Sequence, residues 1–240
     1  MKQYSAIEYY ARTTVLLVGT MLYAIAFLLH RFVSGNAQVT YRYTKKWCSF
    51  LLSVAGVRLQ VEGAENIRNN ETYILISNHA SQFDIPAIIV ASPCDVRIMY
   101  KRELQKVPFM GWALKYSTFV PVTRTDARDA MSSIDETVAD IQRHPASVSV
   151  FAEGTRTKDG NLQPFKRGAF VMAIKSGKPI VPVAIAGSRD VLPTNSARFN
   201  PGTITVRYGK PINVAGKEFT RQEEKELVER VRVEISAMLG

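Results

Sequence analysis

Short apolar runs alternate with helical patterns from Val57 to Tyr208, and that alternation leaves few folds open to the chain. Residues 57–61 alternate apolar and polar side chains, as a half-buried strand does. Tyr73, Ile74, Leu75 and Ile76 form an unbroken apolar run ahead of Ser77, as in a strand buried on both faces. Further strands are expected at 96–100, 118–122, 147–152, 180–186 and 203–208. Helices are expected near 85–91, at 127–143 and at 168–176, the last closed by Gly177 and Pro179. In the second of these Ala130, Met131, Ile134, Val138 and Ile141 share one face. Thr220 and Glu223 form a capping box, and Leu227, Val228, Val231, Ile235 and Met238 follow at helical period. The pattern predicts an α/β fold with a mixed sheet flanked by helices on both faces.

The first quarter of the chain reads differently. From Thr13 to Leu29 there are 17 residues without a charge, bounded by Arg12 and His30-Arg31. As a helix that run measures roughly 26 Å, slightly short of a bilayer core of about 30 Å. Ser34-Gly35-Asn36-Ala37 reads as a turn. In residues 41–57, Tyr43, Trp47, Phe50, Leu51 and Val54 recur at helical spacing, with Arg42, Lys45, Lys46, Ser49 and Ser53 between them. Aromatic and basic residues on one amphipathic helix suit a membrane interface.

We therefore expect a membrane-associated two-helix hairpin over residues 1–56 and an α/β domain over 57–240. A cleaved signal peptide or a buried core hairpin would use similar residues. His30, Arg31 and Phe32, standing before the small residues, weaken the former.

Charge supports the membrane reading. The net charge is +10, and residues 1–60 hold Lys2, Arg12, Arg31, Arg42, Lys45, Lys46 and Arg58 against Glu8 alone. A basic surface can serve nucleic acid or anionic lipid, and its mixture with long apolar runs favours lipid, with no nucleic-acid partner. Cys48 and Cys94, the only two cysteines, make no disulfide framework and fit a reducing cytosolic compartment. The expected location is the cytoplasmic face of the inner membrane.

Candidate chemistry gathers where strands end. His79 follows the 73–77 strand, with Asp84 five positions on; a histidine needs a partner on one ring nitrogen if the other is to act as a base. Asp84 is placed to be that partner, across a turn that Pro86 ends. Such pairs are more often purely structural, so the rest of the chain has to carry the functional reading.

Two other strands deliver Arg124 and the run Glu153-Gly154-Thr155-Arg156-Thr157, and a fourth delivers Lys101 and Arg102. Two arginines and a lysine near strand ends suit recognition of a phosphate monoester, because guanidinium–phosphate pairing is bidentate and charge-assisted. His30, His79 and His144 are scattered and no Cys–His cluster exists, so a metal site is not expected.

The ordered combination is more specific than its parts. Asn78-His79-x4-Asp84, Phe119-x-Pro121-x-x-Arg124, Phe151-x-Glu153-Gly154-Thr155-Arg156 and Val181-Pro182-Val183 stand in sequence. Together they resemble the 1-acylglycerol-3-phosphate acyltransferase (lysophosphatidate acyltransferase) family of glycerolipid acyltransferases, from about Val57 to Tyr208. Ala152 departs from the family's usual proline, which bears on loop stiffness rather than chemistry.

The resemblance implies the glycerolipid acyltransferase fold and direct acyl transfer. His79, oriented by Asp84, would deprotonate the sn-2 hydroxyl of a lysophosphatidate, which attacks the thioester of acyl-CoA or acyl-carrier protein and gives phosphatidic acid. Lys101, Arg124 and Arg156 would hold the phosphate, with Glu153, Gly154 and Thr155 shaping that pocket; Val181–Val183 would line the acyl tunnel or form an ordinary buried strand. No cofactor beyond the acyl thioester co-substrate is implied.

Ser81 is disfavoured as a nucleophile, since no Gly-x-Ser-x-Gly elbow surrounds it. Lys166 and Arg167 either approach the ligand or start a solvated helix. Alternatives are another acceptor (another lysophospholipid, a lyso-ornithine lipid or glycerol 3-phosphate) or a non-catalytic membrane adaptor with the same fold.

Overall fold

A computed structural model of the chain describes residues 3–34, 39–108, 110–123 and 127–240. The turn expected after Ser34 falls on residues outside that set, as does Arg124. Among the described residues seven strands form one sheet: β1 (Val57–Glu62), β2 (Ile74–Ser77), β3 (Val96–Lys101), β4 (Val120–Val122), β5 (Ser147–Phe151), β6 (Ile180–Ala186) and β7 (Gly202–Tyr208). Their spatial order is β1-β7-β6-β2-β5-β3-β4. The sheet is mixed, as expected: β6, β2, β5, β3 and β4 run parallel, while β7 is antiparallel to β6 and carries β1 parallel to itself.

This topology matters for function. Four parallel neighbours, β2, β5, β3 and β4, open their C-terminal ends on the same edge, which is where a parallel sheet with helical crossovers presents its loops. The continuous apolar run of β2 follows from its central place: every one of its residues is buried, because helices cover both faces.

The helices are α1 (Ala6–Ser34), α2 (Val39–Val54), α3 (Asp84–Ala91), α4 (Met110–Tyr116), α5 (Ala127–Arg143), α6 (Gly168–Ser176), α7 (Ser188–Val191) and α8 (Arg221–Leu239). One face of the sheet packs Leu75, Val181, Val183 and Val206 against Ile88 and Ile89 of α3 and Cys48 and Leu52 of α2. The other packs Ile74, Ile76, Val148 and Val150 against Ile134 and Ile141 of α5, Phe170 and Met172 of α6, and Val231 and Ile235 of α8. The α8 capping box forms as read, with Glu223 N donating to Thr220 Oγ1 and Thr220 N donating to Glu223 Oε2.

The hairpin helices differ in how they meet the rest of the chain. α2 turns Cys48 and Leu52 inward, and both cysteines are free and buried. Lys45 does not reach for a membrane surface: its ammonium donates to Ser92 O at 2.9 Å, just past the end of α3, where a cation satisfies a helix carbonyl. Arg42 and Lys46 stay exposed. α1, 29 residues long, is long and apolar enough to cross a membrane, and buries only Ala24 and Phe27. Leu17, Leu22, Leu29 and Phe32 face outward along it. An apolar cavity of about 200 Å³ lies between the hairpin and the sheet, lined by Phe27, Tyr43, Trp47, Ile98, Leu114 and Phe119 among others.

One reading needs correction and one open alternative is met. Pro86 does not end a turn; it lies in the first turn of α3, where φ is already helical and no intrahelical N–H is needed. Val181, Pro182 and Val183 belong to the middle of the sheet, paired with Leu75, Ile76 and Ser77, and are packed as core. That is the buried-strand alternative.

Candidate active site

The site is built around a single oxygen. Asp84 opens α3 and is fully buried, and its Oδ2 lies 2.8 Å from His79 Nδ1. The same oxygen accepts the backbone N–H groups of Ala80 and Ser81, each at 2.8 Å. An atom that already accepts two N–H bonds is an acceptor toward the ring as well. In the neutral ring His79 Nδ1 therefore carries the proton, and Nε2 keeps its lone pair. That is the tautomer a general base requires.

The imidazole is fixed on its faces too. Its ring stacks on Phe151, the last residue of β5, with centroids 3.9 Å apart and planes 15° from parallel. The loop carrying it is tied down by backbone bonds: Thr157 N donates to His79 O at 2.8 Å, and Ala152 N to Ser77 O at 3.1 Å. Asn78 spans to β6, donating to Ile185 O at 2.9 Å and accepting from Ile185 N at 2.8 Å. Thr194 Oγ1, from the loop after α7, reaches both Ala80 O and Thr157 O. Adjacent strands β2 and β5 thus hold their two loops as one unit.

Glu153 faces into this unit. Its Oε1 accepts His79 N at 2.6 Å and its Oε2 accepts Gln163 N at 3.0 Å, and only 4% of the residue is exposed. Burial outweighs those two donors and pushes its carboxyl above the usual carboxylate range. Its contacts brace the histidine loop from within.

The remaining candidates divide. Gly154 takes a positive φ of 75°, and Thr155 is exposed beside it. Arg156 is half-buried, with no hydrogen-bond or ion-pair partner among the described residues, as a guanidinium awaiting an anion would be. Lys101 ends β3 with two-thirds of its side chain exposed and a loose approach of 3.6 Å to Glu103. Arg102 Nε donates to Thr123 Oγ1 at the end of β4, joining two strand ends.

The pair Lys166-Arg167 resolves into two roles. Arg167 is spoken for by Glu224 of α8, at 2.5 Å. Lys166 lays its side chain against Gly154, so near that a Cβ there would meet its Cδ and Nζ at 2.8 Å. Both line a cavity of about 320 Å³ with Thr123, Ser133, Phe151 and Gly168.

Ser81 is not available as a nucleophile. Its hydroxyl donates to Leu192 O at 2.8 Å and accepts from Phe83 N, which turns it into a loop brace.

Sequence reasoning missed the roles of Phe151, Asn78 and Thr194. Phe151 and Asn78 stood inside the quoted motifs, and only their three-dimensional partners give them a job. Thr194 lies far along the chain from both carbonyls it reaches, Ala80 O and Thr157 O, with no local signal.

Known proteins are similar to this chain in sequence and in fold. The family model described as Acyltransferase matches residues 58–186. A chloroplastic 1-acyl-sn-glycerol-3-phosphate acyltransferase of Brassica napus is 33% identical over 180 residues, covering 71% of this chain and 52% of that protein. The human 1-acyl-sn-glycerol-3-phosphate acyltransferase alpha is 32% identical over 177 residues, covering 74% of this chain and 62% of its own. The chain thus spans about half to three-fifths of the length of these curated relatives. The crystal structure of the 1-acyl-sn-glycerophosphate (LPA) acyltransferase PlsC from Thermotoga maritima superposes with a TM-score of 0.76 and 25% identity, covering 97% of this chain and 93% of that one. With the family model spanning more than half of its residues, and with the histidine, carboxylate and strand-end loops inside that span, this chain belongs to the acyltransferase family.

Proposed function

We propose that the protein is a 1-acylglycerol-3-phosphate O-acyltransferase, moving a fatty acyl group from an acyl thioester to the sn-2 hydroxyl of lysophosphatidate. The observation that carries this is the His79–Asp84 pair, set on the edge where four parallel strands end, with Nε2 unpartnered among the described residues. The relatives named above support the choice of acceptor.

In this reading His79 Nε2 removes the proton from the acceptor hydroxyl as its oxygen bonds to the thioester carbonyl carbon. The tetrahedral adduct collapses, the C–S bond breaks, and the thiolate leaves. The proton held on His79 passes to that sulfur, giving free thiol and phosphatidate, and the base returns to its starting state. Asp84 keeps the ring oriented and faces the positive charge that builds on it during transfer.

Lys101, Arg124 and Arg156 hold the acceptor phosphate, with Lys166 beside Gly154 adding a further cation. Glu153 acts by holding His79 rather than by touching substrate, while Gly154 and Thr155 form the rim. The donor is acyl-CoA or acyl-carrier protein, and no further cofactor enters the reaction. The apolar cavity between hairpin and sheet offers a place for an acyl chain. The hairpin seats the enzyme on the cytoplasmic face of the inner membrane, among anionic lipids.

Purified protein in detergent micelles, given acyl-CoA or acyl-carrier protein with lysophosphatidate, is expected to form phosphatidate, and His79→Ala is expected to abolish it. Turnover of a different lysolipid or of glycerol 3-phosphate, with none of lysophosphatidate, would replace the acceptor and keep the chemistry. Full activity in His79→Ala would remove the base assignment.

A further inference from the structure

The segment after β3 presents a face that the active site does not use. A 3-10 turn, Arg102–Lys106, leads into α4, and the two are locked together: Gly111 N donates to Val107 O at 2.7 Å, and a Cβ on Gly111 would strike Gln105 O at 2.3 Å. Inward contacts fix the unit to the sheet. Gln105 Nε2 donates to Tyr100 OH at 2.7 Å, Tyr100 OH donates to Leu114 O, and Ala113 and Leu114 wall the apolar cavity.

Its outward face is apolar. Val107 is 40% exposed, Trp112 51% and Tyr116 42%, while Leu104, 39% exposed, also borders the apolar cavity and belongs to both sides. Isolated exposed apolar residues mean little, but these form one surface with α1. The Tyr116 ring packs edge-on against Phe32 near the end of α1, with centroids 5.3 Å apart, and Phe32 continues the outward row of Leu22, Ile25 and Leu29. Charge frames the same segment: Lys101, Arg102, Lys106 and Lys115 are exposed around it, against Glu103. Tryptophan and tyrosine beside apolar side chains, ringed by lysine and arginine, are what the boundary layer of an anionic leaflet accommodates.

We propose that residues 101–108 and 110–116 form a second bilayer-docking element, seated in the interfacial layer of an anionic leaflet and continuous with the outer face of α1. It rests on reading α1 as membrane-bound. The consequence is positional. The element begins at Lys101, the last residue of β3, so docking it holds the strand-end edge of the sheet at the depth of lipid phosphates and glycerol hydroxyls. A second line of contact beside α1 fixes how far that edge is tilted about the α1 axis.

The chain offers its own reporters, because it has two tryptophans. Trp47 sits between the hairpin helices with its indole N–H donating to Thr20 Oγ1, and Trp112 lies on the proposed face. Full-length Trp47→Phe protein would be mixed with vesicles of phosphatidylcholine and phosphatidylglycerol, brominated near the glycerol or deep in the chain. Trp112 emission is expected to fall about twofold with shallow bromines and less with deep ones, as befits an interfacial aromatic.

In parallel, K106E with K115E is expected to weaken vesicle binding about tenfold or more, each lysine near an anionic surface being a separate attraction. Activity on a short-chain, water-soluble lysophosphatidate should be unchanged. Vesicle binding without quenching of Trp112 overturns the proposal and leaves the hairpin reading standing. No vesicle binding at all overturns both. A Trp112 response to an acidic acyl-carrier protein, with none to vesicles, would make the face a protein dock and overturn it too.

Discussion

Asp84 Oδ2 takes three hydrogen bonds at 2.8 Å, from His79 Nδ1 and from the amides of Ala80 and Ser81. One oxygen therefore sets the loop and the histidine ring together, so the pair cannot be disturbed at one end only. The carboxylate belongs to the first residue of α3 and is wholly buried, which fixes its place more firmly than a loop position could.

The first expectation concerns that pair. His79→Ala and Asp84→Asn should each lower kcat by about 10²–10⁴-fold, the range general-base catalysis contributes. Apparent affinity for lysophosphatidate should change far less, since neither group is placed against the phosphate. Steady-state kinetics together with a thermal melt of each variant checks both parts. A fall in kcat/KM carried by KM alone would move His79 from base to binding group.

Ser81→Ala separates direct transfer from an acyl-enzyme. The hydroxyl braces Leu192 O and Phe83 N, so its loss should cost about 1–2 kcal/mol of stability and leave kcat within about threefold of wild type. Mass spectrometry after a single addition of acyl-CoA should find no acylated protein. A trapped adduct on wild type that is absent from Ser81→Ala would reverse the mechanism.

Glu153 gives a pH-dependent expectation. Burial raises its carboxyl in the folded protein above the unfolded value, so its contribution to stability is complete at low pH and declines as pH rises through the folded value. Glu153→Gln removes that titration. Melting temperatures compared from about pH 4 to about pH 7 should therefore show the variant gaining on wild type as pH rises. Catalysis should move the other way. Glutamine offers one acceptor where Glu153 serves two amides, so kcat at neutral pH should drop about tenfold with KM nearly unchanged, the worth of roughly one hydrogen bond.

What was legible in the sequence, and what was not, follows from the range of the forces involved. The strands and longer helices are specified by local period, so β2, β5, β6, α5, α6 and α8 fall where the apolar pattern puts them. α4 escaped because its seven residues make fewer than two full helical repeats, and it is held by Tyr100 on β3 and by Phe32, which is distant in the chain.

The His79–Asp84 pair was readable because both members lie within one loop and one helix start. The direction of Glu153 was not: whether a carboxylate after a strand faces a ligand or a neighbouring loop depends on which strand is adjacent, and the β2–β5 register decides that. Lys45 was misread for a similar reason, since amphipathic spacing cannot see the carbonyl of Ser92.

Gly154→Ala tests how the rim of the site is built. At φ of 75° an L side chain is strained by about 1–2 kcal/mol, while the new methyl would meet the Lys166 side chain at 2.8 Å. The two costs differ in kind. Lys166 is a flexible, exposed chain that can swing aside, so the stability loss should come from the backbone and amount to a few degrees in melting temperature. The swing should appear in function: KM for lysophosphatidate should rise by about tenfold, as one cation leaves the phosphate, with kcat reduced less. Lys166→Ala alone should reproduce the KM effect without the loss of stability, and the double variant should add no further KM increase. Independent, additive KM effects in the two single variants would show that Gly154 meets the acceptor directly and not through Lys166.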